Sequence, residues 1–335
     1  MSKIKKVLIS VSDKRYLKKI LEIFKKFKID IISSDGTFKE IKRLGFNSKQ
    51  VSKLTNFPEI LEGRVKTLHP NIHGGILSKR RNKIHKMNLK ENKISNIDLV
   101  IVNFYPFEKT LVQSKNQKKI IENIDVGGPA MVRSAAKNFE DVTVITSTNQ
   151  YDELISNLNK NKGSTTLEFR KKMAKTAFSE TGHYDSLISN YFNKITNDKF
   201  PEKKLISLSL IERLRYGENP HQEGSIYSNS DLKIKKLHGK DLSYNNYNDI
   251  FTALKISKSL PKNIGTVVVK HANPCGVSIN KNKLKSFKLA LKCDPISAFG
   301  GIVSCNFKIT KKIAYELNKI FLEVIISDGY DNEAL

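Results

Sequence analysis

The sequence has no tryptophan and only three cysteines among its 335 residues. Cys275, Cys293 and Cys305 lie far apart without metal-ligand spacing, and no carboxylate cluster supports a metal either. Reduced thiols in a cytoplasm are the expected state. No apolar run approaches the ~20 residues of a membrane-spanning helix. The N-terminal MSKIKKVLIS is basic, but its apolar run is short and polar residues follow at once, so it reads as a first strand rather than a signal peptide. Internal repeats and low-complexity tracts are missing. Negative charge is scarce, with 33 acidic against 59 basic residues and a formal net charge of +26. Such an excess suits a nucleic-acid or membrane partner. The lysines, however, come in ones and twos along the whole chain (Lys5-Lys6, Lys18-Lys19, Lys25-Lys26, Lys171-Lys172) and form no single stripe interleaved with aromatics. They read as solvated faces, with some of the charge serving anionic substrates, and neither a nucleic acid nor a membrane is expected as a partner.

What is present is a globular composition, 39% hydrophobic and 27% charged, long enough for two or three domains. Val7 to Val11 is a short apolar run stopping at Ser12-Asp13-Lys14, a capping sequence for a helix whose apolar positions Leu17, Ile20, Leu21, Phe24 and Phe27 follow. Ile29 to Ile32 reads as a second strand, Phe38 to Leu44 as a short helix, Ile97 to Phe104 as the strongest strand, and Val142 to Ile145 as a further one. Strand–helix alternation predicts a parallel sheet with right-handed crossovers and ligands at the carboxyl ends of its strands. Ser34-Asp35-Gly36-Thr37 at such an end combines hydroxyls, a glycine and a helix start, either a phosphate loop or an ordinary cap. Asp125-Val126-Gly127-Gly128-Pro129 lets backbone approach a ligand before a helix expected over Ala130 to Asn138, with Arg133 and Lys137 on one face.

GRVKTLHPNIHGG, Gly63 to Gly75, sets Arg64, Lys66, Thr67, His69 and His73 between glycines and a proline. Cationic donors, a hydroxyl and flexible backbone suit an anionic ligand held beside a proton-transfer site. Leu154 to Phe192 reads as mostly helical, with a kink at Gly182, and the polar stretch Lys194 to Lys204 as the domain boundary, giving domains 1–196 and 205–335. In the second, LRYGENPHQ (Leu214 to Gln222) and LHGKDLSYNNYND (Leu237 to Asp249) are loop compositions able to bind ligand. The strand GTVVVK delivers Lys270-His271, either an acid/base couple or an exposed lysine beside a bonded histidine, into a proline-glycine turn, Ala272 to Gly276.

SVSDK, SDGT, LTNFPEILEGRVKTLHPNIHGG, NFYPF, IDVGGPAMVRSAAKN, LRYGENPHQ, VVKHANPCG and DPISAFGG occur in the order found in one enzyme family. The chain resembles the bifunctional purine-biosynthesis family, AICAR transformylase/IMP cyclohydrolase, from its N-terminus to Leu335. The resemblance implies an α/β protein: a methylglyoxal-synthase-like, Rossmann-like parallel-sheet domain followed by an incomplete cytidine-deaminase-like α/β domain, since the family's second domain continues for roughly as long again. It implies closure of FAICAR to IMP with loss of water in the first domain. In the second it implies formyl transfer from 10-formyltetrahydrofolate, as co-substrate, to AICAR, an activity that the missing part of the domain places in question here. No metal is implied. FAICAR, IMP and AICAR are the expected nucleotides, and a homodimer is expected of the full-length protein. The cyclohydrolase candidates are Lys66 and Lys137 for charge stabilisation and proton supply, with Asp125 and Tyr105 orienting and relaying protons. Ser10, Ser12, Lys14, Ser34, Gly36, Thr37, Arg64, Thr67, Gly127 and Gly128 match positions around the nucleotide and its phosphate. Lys270 and His271 match the transformylase pair, and Arg215, Tyr216 and Asn246 match AICAR-contacting positions. Asp35 departs from the family's usual glycine, and its carboxylate must point away from a bound phosphate. A non-catalytic nucleotide-binding or basic interaction protein that kept the fold is the alternative.

Overall fold

The computed structural model describes residues 3–61 and 64–335, so Gly63, the first residue of the GRVKTLHPNIHGG stretch, lies outside the described residues. The chain forms two compact units, Met1–Ser207 and Leu208–Leu335.

The first unit is built on a five-stranded sheet. Strands β1 (Lys6–Val11), β2 (Asp30–Ser33), β3 (Lys49–Gln50), β4 (Leu99–Asn103) and β5 (Thr143–Ile145) lie in the order β3-β2-β1-β4-β5, every pair parallel. Helices cover both faces, so Val7, Leu8 and Ile9 of β1 and Leu99 to Val102 of β4 are all buried, as a two-sided parallel sheet requires. The helices are α1 (Leu17–Phe27), α2 (Asp35–Arg43), α3 (Val51–Thr55), α4 (Pro70–Leu77), α5 (Lys83–Glu91), α6 (Phe107–Gln113), α7 (Gln117–Glu122), α8 (Gly127–Lys137), α9 (Tyr151–Lys160) and α10 (Leu167–Ile195). The chain winds outward from β1 to β3, then returns to lay β4 on the other side of β1. That reversal opens a crevice at the carboxyl ends of β1 and β4, where such sheets bind ligands.

Several expectations shift. Helices α2 and α8 begin at Asp35 and Gly127, each about one turn before the predicted Phe38 and Ala130, because the polar glycine-bearing segments are the first helical turns themselves. Ser12 and Asp13 do not cap α1, which starts at Leu17 behind a left-handed Tyr16 with φ 59°. The predicted helical stretch from Leu154 is two helices separated by a break containing Gly163 at φ 86°, and α10 continues through Gly182 as one helix.

The second unit contains a two-stranded antiparallel ribbon, β6 (Ser209–Arg213) and β7 (Ser225–Ser228), and a mixed four-stranded sheet. The latter comprises β8 (Gly265–Lys270), β9 (Asn273–Ile279), β10 (Gly301–Cys305) and β11 (Leu322–Ser327), in the order β11-β10-β8-β9. Only β10 and β11 are parallel. Its three helices are α11 (Tyr244–Ser259), α12 (Lys283–Cys293) and α13 (Lys311–Leu317). The strand period of two divides the core: Val267, Val269 and Ile302 face one layer with Tyr247 and Ile250 of α11, while Val268 and Val303 face the other with Phe287 of α12 and Ile313 of α13. The expected proline-glycine turn after Lys270 is instead strand: Asn273 to Gly276 open β9, and the turn is the pair His271-Ala272. Both turn residues are left-handed, with φ 53° and 57°, the geometry that suits a two-residue hairpin.

Candidate active site

In the first unit the turns after β1, β2 and β4 interlock. Ser34 has the extended backbone of an N-cap, yet its hydroxyl does not cap α2; it hydrogen-bonds the Ser10 hydroxyl at 2.9 Å. Thr37, buried, accepts from the Val11 N–H at 3.0 Å. The hydroxyls of Ser10, Ser34 and Thr37 thus brace β1 against α2, whose first amides keep the positive end of the helix dipole. Asp35 is engaged by Gln50, whose Nε2 donates to its Oδ1 at 2.9 Å. Lys14 lies near enough to Glu40 of α2 that its charge helps depress the Glu40 carboxyl, behind the larger effect of the hydrogen bond from Arg43.

Asn103, at the end of β4, organises the turn after β1. Its Oδ1 accepts from the Ser12 N–H at 2.7 Å, the Asp13 N–H at 2.8 Å and the Ser12 hydroxyl at 2.9 Å, and its Nδ2 donates to the Asp13 carbonyl at 3.2 Å. The Ser12 hydroxyl also lies 2.7 Å from the Phe104 carbonyl. Two residues further, Tyr105 is 45% exposed and lines a cavity of about 330 Å³ with Asp13, Asn103, Thr146 and Tyr184 among its walls.

The second cluster joins the Arg64–Gly75 segment to the start of α8. Helices α4 and α8 both return from the carboxyl edge of a parallel sheet, so their amino ends lie on that edge. A Cβ on Gly127 would overlap Thr67 Oγ1, and one on Gly128 would overlap the Asp125 carboxylate: both glycines are needed for close approach, neither for a left-handed backbone. Asp125 Oδ1 accepts from the Gly128 N–H at 2.8 Å. Burial pushes the Asp125 carboxyl above its ordinary value, opposed by that N–H and by the positive charge of Lys66. Arg64 is paired with Glu122 in a two-pronged ion pair on the surface. His69 caps α4 through Nδ1, which accepts from the Asn71 N–H at 3.1 Å. His73 Nδ1 meets the Ser134 hydroxyl of α8 at 3.0 Å, and burial lowers the pKa of its imidazole. In each histidine Nδ1 is thus taken up by local structure.

Lys137 is not gathered with Lys66 and Asp125. It is the last residue of α8, and nine residues beyond Gly128 at ~1.5 Å each place it about 14 Å along the axis, toward the opposite edge of the sheet. There it lines a separate cavity of about 630 Å³ with Arg133, Lys171, Lys175 and Phe178.

In the second unit, Lys270 Nζ donates to the Phe299 carbonyl at 2.6 Å. Asp249 of α11 receives the N–H of Ala272 at 2.6 Å and that of His271 at 3.3 Å, which stabilises the left-handed turn presenting His271. Arg215 stacks on Tyr216 at 4.7 Å and donates to its hydroxyl at 3.0 Å. Asn246 is buried in the first turn of α11, where it forms a capping box with Ser243 and donates to Glu323. Among the described residues no group of three or more His, Cys, Asp and Glu is placed to hold a metal ion. No helix of the described residues is long and apolar enough to cross a membrane.

The residues that sequence reasoning passed over are Asn103, Gln50, Tyr184 and Asp249. Asn103 left a trace as a polar residue closing an apolar strand inside NFYPF, and Asp249 as the last residue of the LHGKDLSYNNYND stretch; Gln50 and Tyr184 left none.

Comparison with known proteins separates the possibilities. The family model described as AICARFT/IMPCHase bienzyme matches residues 135–335, and that of the MGS-like domain matches residues 17–130. The chain belongs to the AICARFT/IMPCHase bienzyme family. The family's "Bifunctional purine biosynthesis protein PurH" from Clostridioides difficile (strain 630) is 45% identical over 338 residues, covering 99% of this chain and 66% of the relative. The protein of the same name from Leptospira biflexa is 44% identical, with 100% and 66% covered. The chain therefore spans just under two thirds of the length of these relatives. A solved structure described as "Crystal structure of ForH" is 30% identical and superposes with a TM-score of 0.51, covering 56% of this chain and 97% of that one.

Proposed function

We propose that the first unit is an IMP cyclohydrolase, closing FAICAR to IMP in purine biosynthesis. The observation that carries this reading is a half-buried Asp125 that accepts the Gly128 N–H at the glycine-edged start of α8, its carboxyl raised by desolvation and within reach of the positive charge of Lys66. Membership of the family supports it. Ring closure joins the carboxamide nitrogen to the formyl carbon and moves one proton from that nitrogen to the former formyl oxygen; the oxygen then leaves as water with a second proton from the formamido nitrogen, which forms the new C=N bond. The nitrogen is a poor nucleophile, so the step requires a proton acceptor and a cation for the oxyanion. Lys66 supplies the cation; Asp125 and Tyr105 orient and relay protons. Ser10, Ser12, Lys14, Ser34, Gly36, Thr37, Arg64, Thr67, Gly127 and Gly128 hold the nucleotide, with the phosphate at the amino end of α2.

The second unit is the first part of the transformylase domain. Lys270 and His271 are its acid/base pair, and Arg215, Tyr216 and Asn246 face AICAR, with 10-formyltetrahydrofolate as the formyl donor. Homodimerisation belongs to the longer protein, and the compartment is the cytoplasm. The test is direct: purified chain given FAICAR should produce IMP, followed by absorbance, whereas AICAR with 10-formyltetrahydrofolate should yield little FAICAR. A FAICAR rate no higher than buffer removes the cyclohydrolase reading, and brisk formylation removes the view that the second unit is insufficient.

A pH profile follows from Asp125. Burial raises its carboxyl above the ordinary aspartate range, so the protonated form persists to higher pH than for an exposed aspartate. If ionised Asp125 relays the proton, kcat is lost as pH falls through this raised pKa, and the acid limb lies above the ordinary carboxylate range. A profile flat down to pH 4 contradicts that role.

A further inference from the structure

We propose that Tyr184, far along helix α10, is a positioning residue of this site that sets the placement of Asp125 relative to Tyr105. The inference rests on the cyclohydrolase reading and adds to it a residue outside the matched motifs. Tyr184 is 5% exposed. Its hydroxyl accepts from the Asp125 N–H at 2.7 Å and lies 3.3 Å from the Asn123 carbonyl, to which it donates. One oxygen thereby fixes both sides of the turn entering α8. The same ring packs on Phe104, centroids 5.0 Å apart, and edge-on against Phe107 at 6.0 Å, the residues that bracket Tyr105 and Pro106. Tyr184 also walls the cavity that Tyr105 lines. A single rigid side chain therefore bears on the backbone of one proton-relay candidate and on the chain segment carrying the other. Burial pushes its phenol up to about 12, so it remains a neutral hydrogen-bonding group across the working range and does not itself relay a charge.

The hydroxyl and the ring can be tested separately. Tyr184→Phe keeps the packing on Phe104 and Phe107 and removes only the hydroxyl, leaving the Asp125 N–H without its acceptor. One hydrogen bond of this kind corresponds to roughly a ten-fold effect. The expected result is a fall in kcat for FAICAR closure of about ten-fold, with KM within about two-fold of the parent. Hydrogen–deuterium exchange of the parent chain and the variant should show faster exchange in the segment 121–128 and unchanged exchange in β1 and β4. Tyr184→Leu, which also removes the ring, should cost more in kcat. Unchanged kcat in Tyr184→Phe overturns the proposal, as does a loss accompanied by equal loosening of β1 and β4, which would mark a merely structural role. Should the parent chain fail to turn over FAICAR, the cyclohydrolase reading falls. The exchange comparison then judges the clamp alone, and identical protection of 121–128 in parent and variant overturns it.

Discussion

Lys66→Ala is expected to lower kcat for FAICAR closure by about 10²–10³-fold, the loss typical when one donor to a developing oxyanion is removed. Two effects act together. The formyl oxygen gains negative charge as the carboxamide nitrogen attacks, and the ammonium of Lys66 is the cation whose charge is felt at the half-buried Asp125. Without it the oxyanion loses its counter-charge. The same change removes a positive charge that holds the Asp125 pKa down, so that pKa rises further and the acid limb of the kcat profile moves toward neutrality. Nucleotide affinity should change much less, because the hydroxyls of Ser10, Ser34 and Thr37 and the amides of α2 are untouched. Lys66→Arg keeps the charge but replaces a compact ammonium by a planar fork, and should recover part of the rate and return the acid limb toward its parental position. Steady-state kinetics across pH, with IMP affinity measured by calorimetry, reads all three quantities. A Lys66→Ala variant within about three-fold of the parent in kcat would sink the assignment.

How much of this arrangement was legible in the sequence depends on range. β1, β2, β4 and β5 are apolar runs closed by polar turns, and their alternation with helices predicts the parallel sheet observed. β3 escapes because Lys49–Gln50 is a short polar edge strand without an apolar signature. Within the site, the hydroxyl-rich turns announce themselves, but their bonding does not: Ser34 reads as a cap and in fact bonds Ser10, 24 residues away. Tyr184 stands 59 residues from Asp125 and carries the pattern of a packed helix, so nothing local marks its hydroxyl as an acceptor. Lys137 shows the opposite failure. Its spacing from Arg133 correctly places the two on one helix face, lining one cavity, but periodicity says nothing about which edge of the sheet that end of the helix reaches. The direction of the crossover decides it, and puts Lys137 away from Asp125 within a single chain.

Gly128→Ala is expected to reduce kcat by at least about 10²-fold while leaving the fold intact, and the reason is not the one usually given for paired glycines. In helix interiors alanine is favoured over glycine by about 1 kcal/mol, so propensity alone predicts a modest gain in stability. Gly128 is helical and not left-handed, so no backbone strain opposes the change. What opposes it is the Asp125 carboxylate, which occupies the space that a Cβ would need and accepts the Gly128 N–H at 2.8 Å. The carboxylate must swing out, losing that hydrogen bond and its place beside the charge of Lys66, and a displacement of about 1 Å in such a group can cost ~10²-fold in rate. Gly182→Ala is the internal control: it too is a helical glycine, within α10, but it stands outside the proposed site and nothing lies within 4 Å of its added Cβ. It should fold like the parent and keep most of its kcat. Thermal melts and kcat measured on the pair separate the two causes. If both variants lost activity equally, flexibility of glycine in general would account for the result; a fully active Gly128→Ala would mean that Asp125 does not act from the position it holds against α8.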